Sequence, residues 1–296
     1  MKYVLTGSTG HITKPVTIKL VEAGHDVSVI TSSEAKRQEI ESLGAKALVG
    51  TIEDRDFLTN SFSGADVVYT MVPPKWDPTD WKAYIGSIGT NYAAAIKTAG
   101  VKKVVNLSSV GADQDSGCGP VTGLHHVENE LNALAGVDVK HLRPGYFYDN
   151  LLSNIGMIKG MNLMGSNMKA NAVLPVADTN DIAEVAASFL LHPTFTGKSF
   201  EYVISDVVTP GSITSLIGKE IGKPELPWVE FTDEQSIGGM QQAGLSEEVA
   251  RNYTEMGAAI RSGKMMSHFI SVGKPVIGKV KAEEFAKRFA SIYRAS

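Results

Sequence analysis

A chain of 296 residues with 43% hydrophobic and 20% charged side chains can bury a substantial core and carries no compositional mark of disorder. A formal net charge of −4 argues against direct binding of nucleic acid, whose phosphate backbone selects basic faces. The single cysteine, Cys118, excludes an internal disulfide framework and suits a reducing, cytoplasmic compartment, and no apolar run reaches the roughly 20 residues that cross a bilayer.

The first predicted element is Tyr3–Thr6, an aromatic, β-branched and aliphatic run that reads as a buried strand. So early a start leaves no stretch for a secretory leader. The strand runs straight into Thr6-Gly7-Ser8-Thr9-Gly10-His11-Ile12-Thr13. Gly7 and Gly10 permit a sharp turn, after which Ile12, Val16 and Leu20 form an apolar helical stripe. Pro15 is tolerable only in the first turn of that helix, which should therefore begin near Ile12. Further strands are predicted at Val27–Thr31, Lys46–Val49, Asp66–Val72, Lys103–Leu107 and Asp138–Leu142. The helical stretches between them end at Gly24, Gly44, Gly64, Gly100 and Gly136, each placed to close a helix.

Strand and helix alternating at this interval imply right-handed crossovers and an α/β fold, a Rossmann-type doubly wound parallel sheet. Ligands of such sheets bind beyond the carboxyl ends of the strands. After Asn150 the rhythm breaks, and residues 151–171, rich in Met, Gly and Asn, read as a mobile or ligand-covering segment. A helix at Asp181–Ala187 and a strand at Ser199–Ile204 follow. A mostly helical block comes next, with helices near Ser212–Ile221, Asp233–Ala243, Ser246–Arg261 and Ala282–Tyr293 and a strand at Trp228–Phe231. The division expected is a dinucleotide-binding domain over residues 1–150, rejoined by 179–205, and a smaller lobe from 151–178 and 206–296.

The glycine turn is the first chemical signal. Unpaired amides at a helix start, at the positive end of its dipole, cradle a pyrophosphate, and glycines let the backbone approach. Gly7, Ser8, Thr9, Gly10, His11 and Ile12 are therefore candidate cofactor residues. The spacing is G-x-x-G-x-x-T rather than G-x-G-x-x-G. A carboxylate about 20 residues on would bind the ribose of NAD. That place holds Thr31-Ser32-Ser33, with Lys36 and Arg37 just beyond. Hydroxyls and cations suit a 2′-phosphate and favour NADP(H), with NAD(H) as the alternative; a plain polar loop leading into a solvated helix is the structural reading. Met71-Val72-Pro73 and Ser108-Ser109 end the fourth and fifth strands, where a nicotinamide would lie.

The chain resembles the NmrA-like family, atypical members of the short-chain dehydrogenase/reductase superfamily. The resemblance rests on the glycine turn, on Leu142-Arg143-Pro144-Gly145-Tyr146-Phe147-Tyr148-Asp149-Asn150 and on the Asp181-Ile182-Ala183 helix. It extends into Ala243-Gly244-Leu245-Ser246-Glu247-Glu248 and the closing Glu284-Phe285 helix. It implies a Rossmann domain holding NADP(H) or NAD(H) and a substrate cleft beside a smaller lobe. Three positions depart from the family: Thr13 for its third glycine, Thr31 for a common arginine, and Thr51 for an aspartate.

Typical members of that superfamily use Tyr-x-x-x-Lys, the lysine lowering the tyrosine pKa for proton transfer. From Val104 to Val139 there is neither tyrosine nor lysine. His125 and His126 are the substitute candidates, with Ser109; either ring, with an ordinary pKa near 6.5, would pass a proton if Glu128 or Glu130 oriented it. Histidines on a solvated helix are the bland alternative, and no metal set accompanies them. Tyr146, Phe147 and Asn150 should face the cleft, the two rings stacking on nicotinamide or a planar acceptor, or packing between lobes. Trp76 and Trp81, in a proline-rich loop, would roof the pocket or form a surface turn. The expected activity is hydride transfer from NADPH to a small carbonyl, enone or quinone. The alternative is a non-catalytic NAD(P) sensor acting through a protein partner; no membrane is involved in either.

Overall fold

The computed structural model describes residues 1–273 and 275–296. Strands and helices alternate through Pro144: β1 (Lys2–Leu5), α1 (Thr13–Glu22), β2 (Asp26–Thr31), α2 (Arg37–Ser42), β3 (Lys46–Val49), α3 (Arg55–Phe62), β4 (Val67–Thr70), α4 (Trp81–Ala99), β5 (Lys103–Leu107), α5 (Val121–Asn132) and β6 (Asp138–Pro144). Next come β7 (Tyr146–Phe147), α6 (Ile155–Met161), β8 (Met164–Ser166), β9 (Leu174–Ala177), α7 (Thr179–Leu191) and β10 (Lys198–Val203). The chain closes with β11 (Asp206–Val208), α8 (Pro210–Glu220), β12 (Trp228–Glu230), α9 (Asp233–Gln242), α10 (Glu247–Arg261), α11 (Ser267–Val272) and α12 (Ala282–Ala295).

Seven strands form one parallel sheet in the order β10-β6-β5-β4-β1-β2-β3, a Rossmann-type doubly wound arrangement. Its strands are covered on both faces, which is why Val4, Leu5, Val67, Val68, Tyr69, Val104 and Val105 are all buried without alternation. The order reverses at β1, whose neighbours are β2 and β4, so a crevice opens beyond the carboxyl ends of β1 and β4. Pro15 falls at the third position of α1, where its missing N–H breaks no helical bond. The five helix-closing glycines all have positive φ.

Residues 151–171, whose composition suggests a mobile or ligand-covering segment, hold regular elements. They carry α6 and β8, because Leu151, Ile158, Met164 and Met168 are buried in a second core with Ile213 and Ile217 of α8 and Phe285 and Phe289 of α12. Two small sheets, β11-β9-β7 and β12-β8, border that core. β10 pairs with β6 from Val139 to Pro144, so residues 198–203 lie in the main sheet, and α7 packs on α1. β6 also runs further than predicted, through Arg143 and Pro144, which brings a buried guanidinium beneath the crevice. Among the described residues no helix is long and apolar enough to cross a membrane.

Candidate functional site

The loop from β1 to α1 is tightly held from below. Gly7 has φ +97°, and a Cβ there would meet the Thr13 hydroxyl at 2.4 Å. Thr13 occupies the space under the loop and donates to the Thr6 carbonyl at 3.0 Å, so the departure from a third glycine is absorbed by one hydrogen bond. Ser8, with φ 54°, is a non-glycine in the left-handed region. Its amide donates to the Ile30 carbonyl at 3.2 Å and its hydroxyl to Thr31 Oγ1 at 2.9 Å, which compensate that backbone strain. Among the described residues the amides of Thr9, His11, Ile12 and Thr13 have no hydrogen-bond partner. A Cβ on Gly10 would touch only the Gly7 carbonyl, at 3.1 Å. These free donors at a helix start, with a glycine at the lip, fit a pyrophosphate.

At the far side of this loop, Thr31 is buried and its hydroxyl oxygen also accepts from the Ser33 amide at 3.2 Å, so it braces the loop. Ser32 and Ser33 are exposed. The region is not free of acid, as the local sequence suggests. Glu39 of α2 turns back toward the loop and accepts from Lys36 Nζ at 2.8 Å, Lys14 Nζ at 2.9 Å and Thr9 Oγ1 at 2.9 Å. The bonds from Lys36, Lys14 and Thr9 hold its carboxyl down at about 2. Arg37 is drawn away by ion pairs with Glu34 and Glu41. The spacing of Lys36 and Glu39 along the chain signals their pairing, but nothing local places Lys14 and Thr9 beside them.

The floor of the crevice is a buried polar network. Ser108 Oγ donates to Glu128 Oε1 at 2.5 Å, and Arg143 donates to the same carboxylate at 3.0 and 2.6 Å. Ser108 therefore has its proton committed and is left as an acceptor toward any ligand. Beneath it, Thr70 donates to Asn106 Oδ1 at 2.9 Å, Asn106 Nδ2 donates to His141 Nδ1 at 3.1 Å, and His141 Nε2 donates to Asn132 Oδ1 at 3.0 Å. Burial lowers the His141 pKa to about 4, in keeping with a ring that must accept at Nδ1.

Neither histidine pairs with a carboxylate in the way expected of the helix spacing. Glu128 faces inward to Ser108 and Arg143 instead. His125 lies against the Ala112 carbonyl, 2.8 Å from Nδ1, and Asn129 Nδ2, 2.8 Å from Nε2. Because a carbonyl only accepts, Nδ1 carries the proton and Nε2 accepts from the amide. His126 is exposed and packs beside Gly86 of α4. Ser109 Oγ donates to the Val110 carbonyl at 2.9 Å. Burial pushes the Cys118 thiol up to about 11, which leaves it unreactive. Among the described residues no group of three or more His, Cys, Asp or Glu is placed to hold a metal.

Beyond the carboxyl end of β4 the aromatics converge. Trp76 stacks on Tyr253 of α10 at 6.4 Å, and Trp81 meets Tyr253 edge-on at 5.3 Å. Tyr146 is half-buried near Tyr253, and burial pushes its phenol well above the usual range. Tyr253 is absent from the sequence-based candidates because α10 lies far along the chain. Tyr146 and Phe147 are not presented together: neighbours on β7, they take opposite sides, Tyr146 against the second core and Phe147 against the first, with Met71. Asn150 is exposed, and its neighbour Asp149 reaches the glycine loop, with Oδ2 3.4 Å from His11 Nδ1, and α12, with Oδ1 3.1 Å from Arg288. Met71 lies against Gly7, while its backbone is fixed by Thr6 and by Tyr92 Oη at 2.7 Å. Val72 and Pro73 follow, half-buried.

Residues 2–236 match the NmrA-like family, and the chain belongs to it. Along 99% of its length it is 26% identical to an NAD(P)H azoreductase of Xenophilus azovorans, itself covered over 99%. The fold matches an NADPH-dependent quinone oxidoreductase of Escherichia coli solved with NADPH, at TM-score 0.81 and 19% identity over 97% of this chain and 99% of that one. It also matches a Citrobacter triphenylmethane reductase solved with NADP(H), at TM-score 0.81 and 18% identity, with the same 97% and 99% coverage.

Proposed function

We propose that this NmrA-like protein is an NAD(P)H-dependent oxidoreductase, preferring NADP(H), that reduces a small planar acceptor such as a carbonyl, enone or quinone. The observation that carries this reading is the pairing of two features across one crevice: free amides at Thr9 and His11–Thr13, and the Trp76–Tyr253–Trp81 aromatic group. The azoreductase relative, similar end to end, and the reductases sharing the fold support it.

When bound, the dinucleotide supplies the hydride. The chain's own residues bind and orient. Amides of the glycine loop hold the pyrophosphate, Met71, Val72 and Pro73 border the nicotinamide, and Ser108 accepts from a ribose hydroxyl or carboxamide. Trp76 and Tyr253 hold a flat acceptor at near-attack distance, and Tyr146 closes the inner side. Phe147 supports the cofactor side through Met71. Asn150, exposed at the rim, is the polar contact left for the acceptor. Proton delivery falls to water, His126, Ser109 or His125, the last two only by giving up the bonds their protons make to the Val110 and Ala112 carbonyls. Quinone reduction asks least of this set, because α5 lacks a Tyr-x-x-x-Lys pair. That same lack favours a second reading, a nucleotide-binding sensor that acts through a partner without turnover.

Purified protein mixed with NADPH and a panel of quinones, enones and azo compounds separates the two. Turnover well above the buffer rate is expected. Tight NADPH binding with oxidation at only the buffer rate would replace the enzyme by the sensor.

A further inference from the structure

Three donors from three elements converge on one partly exposed carboxylate at the adenosine end of the crevice. Thr9 comes from the glycine loop, Lys14 from α1 and Lys36 from the β2–α2 connection. The side chains of Lys14 and Lys36 are 43% and 49% exposed and that of Glu39 is 32% exposed, so the cluster is open to a ligand rather than a sealed structural pair. Two ammonium groups and a hydroxyl around one point suit a more highly charged, three-oxygen anion better than a single carboxylate. Ser8, Thr31 and Ser33, bonded to one another, form the adjoining wall where a ribose would rest.

We propose that Glu39 stands in for the 2′-phosphate of NADP(H), and that it is the residue which sets cofactor selectivity. A 2′-phosphate takes over Lys14, Lys36 and Thr9 only if the Glu39 carboxylate moves aside, whereas a 2′-hydroxyl leaves the cluster undisturbed. The lysines thus favour NADPH while Glu39 holds that preference down, and both cofactors are accepted. This inference rests on reading the crevice as a nucleotide site.

The test is calorimetric, on the full chain, with adenosine 2′,5′-bisphosphate and AMP as probes, followed by NADPH and NADH. Glu39→Gln should tighten the bisphosphate and NADPH by about tenfold, the scale of one charge-assisted contact, and leave AMP and NADH within about twofold. Glu39→Asp should keep the wild-type ratio, and Lys14→Ala or Lys36→Ala should weaken the bisphosphate and NADPH but not AMP or NADH. Equal shifts for both probes, or no shift, would overturn the role of Glu39 while the nucleotide reading stands. Wild-type protein that binds none of the four would overturn both.

Discussion

Glu128 and Arg143 are locked together beneath the crevice, guanidinium to carboxylate through two hydrogen bonds of 3.0 and 2.6 Å. They are 3% and 7% exposed, so neither charge is solvated. Burial opposes the charge on each, yet the mutual bonds win: the Glu128 carboxyl is lowered and Arg143 is held firmly protonated. Glu128→Gln leaves the buried guanidinium with only Asp113, 4.0 Å away, as a counter-charge and should cost about 3 kcal/mol in urea unfolding. The paired change Glu128→Leu with Arg143→Met should recover most of that loss, since two apolar side chains need no partner. A single variant as stable as the wild type would mean that water already solvates the pair.

His141 gives stability a pH dependence of known sign. Its folded pKa is about 4 because of burial, against about 6.5 in the unfolded chain. Above pH 6.5 the ring is neutral in both states and has no effect. As pH falls from about 6.5 to about 4 the unfolded chain takes up a proton that the folded chain refuses, so stability falls by up to about 3 kcal/mol and then levels off. Protonation would also turn Nδ1 against Asn106 Nδ2. In unfolding curves across this range the gap between wild type and His141→Gln should stay constant above pH 6.5, and the wild type should lose up to about 3 kcal/mol relative to the variant by pH 4; curves parallel throughout would contradict the neutral ring.

Gly10→Val should abolish nucleotide binding while the protein stays folded. Gly10 has no positive φ, and an added Cβ meets only the Gly7 carbonyl, so the branched side chain projects into the pyrophosphate's space. Calorimetry with NADPH, beside circular dichroism to check folding, decides it. Retained affinity would move the phosphates elsewhere.

Trp76→Ala and Tyr253→Ala should each raise the acceptor KM several-fold, corresponding to about 1 kcal/mol of lost stacking, with NADPH affinity unchanged. Trp76 is 52% exposed, so its removal leaves the core intact. A loss of NADPH affinity instead would place these rings against the nicotinamide rather than the acceptor.

The strands of the main sheet and the glycine loop were legible from the residues, apart from shifts of one or two residues at the ends of β1, β2, β4, β6 and β10. Their signals are local, an apolar run of fixed length and a glycine where the backbone must turn. The second core was not legible, because Met164 and Met168 read as loop until α8 and α12 close over them. Glu128 illustrates the limit within one helix: spacing offered His125 as its partner, but its inward face met Arg143 from β6.

The order of residues by itself determined the parallel sheet, the turn between β1 and α1, and the absence of a Tyr-x-x-x-Lys pair, since each is written within one stretch of chain. Only the tertiary structure decided that Glu39 joins Lys14 and Thr9, that Tyr253 meets Trp76, and that Asp149 spans from His11 to Arg288. Those partners lie on separate elements, and charges and rings act over a few ångströms of space, whatever their distance along the chain.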